Sequence, residues 1–465
     1  MSTLINSDKL SRRTLLCYST GSIVETSIFA FCGLYLFNFY TDVVKLSPML
    51  IGIALSIRFF LDAISDPVIG YLSDKIKNSH GRRIPWFVPG VIGGVISFYF
   101  LLTPPLGWSQ ISLFFYLAAF SAFLVLSLTI FGIPYLALSW ELSSDYHERT
   151  RISTYRRIFE VFAEIVANLM IPVVLAVSLF GITQEASAYP IAAVFIGVLC
   201  LTSVFIVCVG VKESVTDETN SEASLLSQLK TVFRNKPFLI LLSAFTLISI
   251  ADRICIALLF YLLEYLHEIP KEDAIPYFLT FFAGSLLSPG LWMILAKHIE
   301  KKQCYLVAMA AWEFSFASFA LHSWSPHILH CVVFLMGSAS SGVLTLPGAI
   351  VPDVIEYDQI KTRQRREGLF AGVAKFAWKM GSSTCFLVIG YLLSHIGYEG
   401  EKPSVETLFG LQAIFIVGPA CLIITAMIVF SYFPITKVRY IRIRNILERY
   451  NARRSEGETR ELENS

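Results

Sequence analysis

The feature that most limits what this chain can become is a series of apolar runs long enough to cross a bilayer as helices. They lie at about 15–40, 48–73, 84–103, 109–138, 153–180 and 188–211, then at about 237–266, 274–296, 302–322, 326–351, 367–396 and 405–433. A helix rising 1.5 Å per residue needs roughly 20 residues to cross a hydrocarbon core about 30 Å thick. Each run has that length. Between the sixth and seventh lies a polar stretch, Lys212 to Lys236, holding Glu213, Asp217, Glu218 and Glu222. Only 15% of the 465 residues are charged, against roughly a quarter in a soluble domain, so there is too little polar surface to cover this much apolar chain in water. The expected fold class is an all-α membrane protein: twelve transmembrane helices in two six-helix bundles. The expected division is an N-terminal segment at 1–14, a first bundle at 15–211, a linker at 212–236, a second bundle at 237–433 and a tail at 434–465.

Basic residues orient such a chain, because Lys and Arg collect on the cytoplasmic side. Of the 37, 30 fall in the termini, the linker and the loops of one side. Three, Lys45, Lys271 and Lys402, fall opposite, and four, Arg58, Arg253, Lys375 and Lys379, lie within spans. Both termini are therefore expected in the cytoplasm, in a multi-pass plasma-membrane protein. No small-residue cleavage site follows the first run, which reads as an uncleaved span. The nine cysteines all sit in apolar stretches, which argues against a disulfide framework or zinc site. No phosphate loop, paired-histidine motif or nucleophile elbow occurs in a credible context, so an enzyme and a bound cofactor are not expected. Arg439, Arg442 and Arg444 follow the last span, where anionic membrane lipid explains them without nucleic acid.

Charges inside the membrane each need a reason, since one at mid-bilayer costs roughly 2.5–3.5 kcal/mol even on gentle scales. In the second span Arg58, Asp62 and Asp66 are spaced by four, which puts them on one helix face, with Ser65 beside them. Two carboxylates one turn apart in low dielectric repel, and both stay ionised only with a cation between or beside them. Hard oxygen donors suit Na⁺ or H⁺. Asp62 and Asp66 are thus candidate ligands for Na⁺, the competing reading being an Arg58–Asp62 bridge that pins the helix. Lys379 in the eleventh span comes at about the depth of Asp62. In the fifth span Glu160 and Glu164 are one turn apart, with Arg157 a turn nearer the cytoplasm, and Glu25 stands in the first. Arg149, Asp353, Glu356, Arg365 and Glu367 lie near span ends of both halves and form a candidate gate. Six spans, a linker and six more, with polar groups at mid-membrane, suit a secondary transporter whose site lies between its halves.

Several runs resemble the cation-coupled glycoside–pentoside–hexuronide symporters, the melibiose permease family of the major facilitator superfamily. They are Phe39-Tyr40-Thr41-Asp42-Val43-Val44, Asp62 through Gly70, Gly81-Arg82-Arg83-Ile84-Pro85-Trp86, Ile133-Pro134-Tyr135-Leu136-Ala137-Leu138, Tyr155-Arg156-Arg157 and Pro352-Asp353-Val354-Ile355-Glu356-Tyr357, with Glu367-Gly368 and Lys379. The resemblance implies alternating access driven by Na⁺ or H⁺, with Asp62, Asp66, Ser65 and Thr129 around the cation. Glu25, Tyr135, Arg157, Glu160 and Lys379 are expected at the substrate, Lys379 and Arg157 falling at the family's membrane-embedded lysine and fifth-span arginine. The resemblance also places the family's sugar-binding carboxylates at Thr26 and Gly132 and a neighbouring tryptophan at Leu136, so this chain departs from the galactoside pattern. The leading expectation is a monomeric symporter for a sugar, glycoside or related small solute. The alternatives are a Na⁺-coupled lysophospholipid or amphiphile symporter, and a non-transporting membrane sensor or scaffold.

Overall fold

A computed structural model describes residues 10–75, 81–143, 145–176, 185–213, 224–269, 274–319, 324–380, 405–447 and 449. These residues form helices joined by short turns, with no strand among them. In lipid a helix satisfies its own backbone donors and acceptors, which is why long apolar runs take this form. The first span is α1 (Arg12–Thr20) and α2 (Ser22–Phe31), continued by π-helical turns at Cys32–Leu36 and Phe39–Val43. Ser11 caps α1, its hydroxyl accepting from the Thr14 N–H at 3.0 Å. The second to sixth spans are α3 (Pro48–Lys75), α4 (Phe87–Leu101), α5 (Gln110–Glu141), α6 (Tyr146–Ala176) and α7 (Glu185–Gly210).

The linker holds a short helix, α8 (Leu225–Val232), which meets α9 (Lys236–Tyr265) at a bend of 81°. The eighth span is two pieces, α10 (Ile275–Leu287) and α11 (Pro289–His298), split at Pro289. Next come α12 (Lys301–Phe319) and α13 (Pro326–Thr362). Then α14 covers 367–380, the described part of the eleventh span, and α15 (Val405–Ser431) is the twelfth. A tail helix, α16, covers 437–447. Seven of the described helical segments are both long and apolar enough to cross a membrane, or eight with the bent pair. At 37 residues, α13 is about 55 Å long and outruns the bilayer, carrying Asp353, Glu356 and Asp358 past the apolar zone where the sequence placed the span's end.

Two cores follow the two halves. One joins side chains from Leu15 to Val211, the other mainly from Val232 to Ile443. The halves meet where α6 packs on α10, α11 and α13 and where α3 meets α14. At that second contact glycine is required. A methyl at Gly70 would run into the Gly368 carbonyl, and one at Gly372 into the carbonyl of Asp66. With no side chain there, the two backbones touch, which brings α14 within reach of the acidic face of α3.

Candidate functional site

The paired carboxylates of α3 are buried where that contact is made. Lys379 comes down from α14, and its Nζ stands 2.5 Å from Asp62 Oδ1. The same Nζ is 3.0 Å from Asp66 Oδ1 and 2.8 Å from Asp66 Oδ2. Thr129 of α5 donates toward Asp62 at 3.3 Å and Asp66 at 3.2 Å, and lies 3.3 Å from the Ser65 hydroxyl. All four expected cation ligands therefore meet, with the lysine ammonium among their oxygens. Arg58 does not join them. Its guanidinium lies over the Phe29 ring, 5.6 Å from the centroid, and no ion pair among the described residues links it to Asp62. One ammonium then faces two carboxylates, and the Arg58–Asp62 bridge that the spacing allowed is not formed among the described residues.

One turn earlier on α14, Lys375 forms an ion pair with Glu25 of α2. This second tie between the bundles sits against Gly132, where a methyl would stand 2.5 Å from a Glu25 oxygen and 2.7 Å from Lys375 Nζ. The position at which the family resemblance puts a sugar-binding carboxylate is thus filled by the Glu25 carboxylate and an ammonium. The sequence offered a signal for Lys375, four residues before Lys379, but none for its partner.

Arg157 faces Glu164 at 3.2 Å and Glu160 at 3.5 Å, and donates to Ser285 of the other bundle at 3.3 Å. Arg156, absent from the sequence-derived set, pairs with Glu160 at 3.3 Å and lies over the Tyr135 ring. Tyr135 turns into the first bundle: its hydroxyl donates to the Tyr18 carbonyl at 2.8 Å, and its ring stacks between Tyr18 and Phe131. It is buried at 3% exposure, on the first-bundle side of Arg156. Glu313 of α12 leaves one buried oxygen without a hydrogen-bond partner among the described residues.

At the end of the molecule that holds Leu10 and Tyr440 the bundles are locked. Arg149 reaches across to Asp353 at 2.9 Å and to Glu356. Lys301 also meets Asp353, at 3.0 Å, with its ammonium over the Tyr146 ring. The Arg149–Asp353 side chains are only 2% and 4% exposed, so they are not solvated loop charges. Tyr440 of α16 closes the cluster beside Arg149, and burial lifts its phenol above the ordinary tyrosine value. Arg365 pairs with Glu367 inside its own half, and the crossing contact to Glu367 comes from Arg82 at 3.4 Å. Burial opposes the Arg82 charge, yet Glu141, Glu367 and Asp74 hold its pKa above the usual arginine value. Asp74 of α3 accepts from the Gly368 and Leu369 N–H groups at 3.0 and 2.9 Å, capping α14 from the opposite bundle.

Residues 17–437 match the family described as MFS/sugar transport protein, MFS being the major facilitator superfamily. The chain belongs to that family. An uncharacterized symporter of Synechocystis is 25% identical, the match covering 96% of this chain and 98% of the relative. The sodium-dependent lysophosphatidylcholine symporter 1-A of Danio rerio is 24% identical over 91% of this chain and 86% of its own. Among solved structures, a bacterial homologue of the iron transporter ferroportin in an outward-facing state superposes with a TM-score of 0.65 at 14% identity, over 91% and 99% of the two chains. That likeness shows the fold. This major facilitator protein is a multi-pass membrane transporter of a symporter family, not an enzyme.

Proposed function

We propose that the protein couples entry of one monovalent cation, Na⁺ or H⁺, to movement of a small solute by alternating access. The observation that carries this reading is Lys379 lodged between Asp62 and Asp66. Two ionised carboxylates and one ammonium leave a net charge of minus one, which a single monovalent cation or proton cancels. An arriving cation competes with the ammonium of the other bundle for the same oxygens, while Thr129 and Ser65 add hydroxyl ligands. Cation binding in one bundle thereby alters a bond to the other, and affinity coupled this way is reciprocal. The lock of Arg149, Asp353, Glu356, Arg82 and Glu367 closes the site toward the end holding Leu10 and Tyr440, the cytoplasmic end by the basic-residue bias.

The solute favoured by the family description is a sugar or glycoside. A second reading, a lysophospholipid, is supported by the zebrafish relative and by Gly132 and Leu136, which take a carboxylate and a tryptophan out of the sugar-binding pattern. The test reads gradient-driven uptake into proteoliposomes beside equilibrium exchange, with glycosides and lysolipids supplied in turn. Asp62→Asn and Asp66→Asn should each lower accumulation at least about tenfold, one lost charge-assisted contact, while exchange persists. Full accumulation by the double variant overturns the coupling site. No flux by the parent under any gradient returns the protein to a sensor or scaffold.

A further inference from the structure

Neither the cation cluster nor the lock uses the linker helix α8 (Leu225–Val232) or the corner that joins it to α9. Ser224 caps α8, its hydroxyl accepting from the Ser227 N–H at 3.4 Å. Asn235 fixes the corner: its side-chain oxygen accepts from the Phe238 N–H at 3.2 Å, and its amide donates to Asp358 of α13 at 3.3 Å. Gln228, Val232 and Asn235, spaced by four and three, form a buried inward stripe. Leu226, Lys230 and Phe233 have the same spacing and form the outward stripe, with Arg234 and Lys236 exposed beside it. No Asp or Glu occurs from Ser224 to Lys236.

Orientation bias collects Lys and Arg on this side of the membrane, but it does not set large apolar groups among them in water. Leu226 is 79% exposed, more than any other large apolar side chain among the described residues, and Phe233 is 48% exposed. The bend supplies a reason. A span crosses the bilayer, so a helix turned 81° from α9 lies along the membrane surface. Phe233 stands three residues before α9 begins, at the level where the apolar run enters the membrane.

We propose that α8 is an interfacial anchor for acidic phospholipid of the cytoplasmic leaflet, with Leu226 and Phe233 at the acyl boundary and Lys230 and Arg234 on phosphate. A surface helix buries its apolar groups at the boundary between headgroups and acyl chains, and its basic residues add attraction to anionic lipid. Lysine and arginine stems run along apolar surface while their charged ends stay among polar groups, so Lys230 fits between two apolar neighbours. A soluble anion would satisfy the charges and leave Leu226 and Phe233 in water; the apolar pair selects lipid. The inward face of the same helix is tied to Asp358, which also pairs with Arg366 just before α14. The anchor thus links the leaflet to the stretch of α13 that carries Asp353 and Glu356 of the lock.

The test uses the full chain in phosphatidylcholine nanodiscs, with an encoded fluorescent amino acid in place of Leu226 that keeps an apolar group there. Quenching by lipid brominated along its acyl chains is read beside quenching by aqueous iodide. Brominated phosphatidylglycerol should reach half-maximal quenching at a mole fraction at least about fivefold lower than brominated phosphatidylcholine, the enrichment expected from one basic residue near an anionic surface. Lys230→Gln with Arg234→Gln should bring the two lipids level, and raised salt should narrow the difference in the parent. Phe233→Asn should raise the mole fraction needed of both lipids, a loss of depth that removal of charge does not produce. Equal half-quenching by the two lipids in the parent, or a phosphatidylglycerol preference that survives the double charge variant, overturns the proposal. So does quenching by iodide without quenching by lipid, which places the stripe in water. Protection from both quenchers also overturns it, since the stripe then lies under protein, a second copy of this chain or a cytosolic partner.

Discussion

Lys379 shares one ammonium between two carboxylates of the opposite bundle, and this one side chain decides how the proposed cation site behaves when empty of cation. Removing it leaves Asp62 and Asp66 buried, facing each other and unpaired, a loss that typically costs about 3–5 kcal/mol. A bound Na⁺ or proton offsets that loss. Lys379→Ala is therefore expected to unfold at a lower temperature than the parent in Na⁺-free buffer, and to gain more from added Na⁺ than the parent gains. Unfolding midpoints across a Na⁺ titration check this; equal gains in the two proteins would separate Lys379 from cation binding. Arg58 gives the contrast. It shares the acidic face by spacing, yet its guanidinium rests over Phe29, so Arg58→Gln should change cation affinity far less than either Asp variant in the same titration.

At the scale of an element, α14 is held from the other half of the molecule. Its first N–H groups are capped by Asp74, and its start runs backbone to backbone against α3 at Gly368 and Gly70. A carboxylate at a helix N-terminus satisfies donors that the helix cannot satisfy itself and favours the positive end of its dipole. Loss of such a cap costs about 1 kcal/mol, and here the cost falls only on the state in which the halves touch. Asp74→Ala should shift the molecule toward separation at this end. Gly368→Ala should do so more strongly, because the new methyl meets backbone, which cannot swing away. Spin labels at positions 75 and 361, one on each half, would report a longer mean distance in both variants. An unchanged distribution in Gly368→Ala would deny that this contact seals the molecule.

For the whole molecule, the bundles meet through the second span against the eleventh and the fifth against the eighth and tenth, with the buried ion pairs of Arg149 sealing the end that holds Leu10 and Tyr440. Asp353→Asn with Glu356→Gln leaves Arg149 and Lys301 buried together without a carboxylate between them. Breaking a buried pair costs about 3–5 kcal/mol, close to the roughly 5.5 kcal/mol that swings a two-state population from one extreme to the other. The same labelled positions should then report a largely separated population. Retention of the parent distribution would show that the lock does not set the conformational balance. The orientation of that end is checked independently. A reporter fused after Ser465 should read as cytoplasmic and one inserted beside Trp108 as external, and any other pairing removes the basic-residue argument.

What the sequence by itself determined is local in physical origin. The length of an apolar run depends on neighbouring residues alone, and so does the four-residue spacing that lines up Arg58, Asp62 and Asp66 on a helix face. The two-bundle helical architecture and the carboxylate pair were legible for that reason. Which partner each charge finds was decided by the tertiary structure. Lys379 reaches Asp62 across more than three hundred residues of chain because glycines let α3 and α14 touch. Glu25 meets Lys375 because Gly132 leaves room for both. Arg149, not Arg365, bridges to Asp353 because α6 packs along an α13 that runs past the apolar zone. An ionic partnership is a property of distances between helices, and no spacing along the chain encodes those distances.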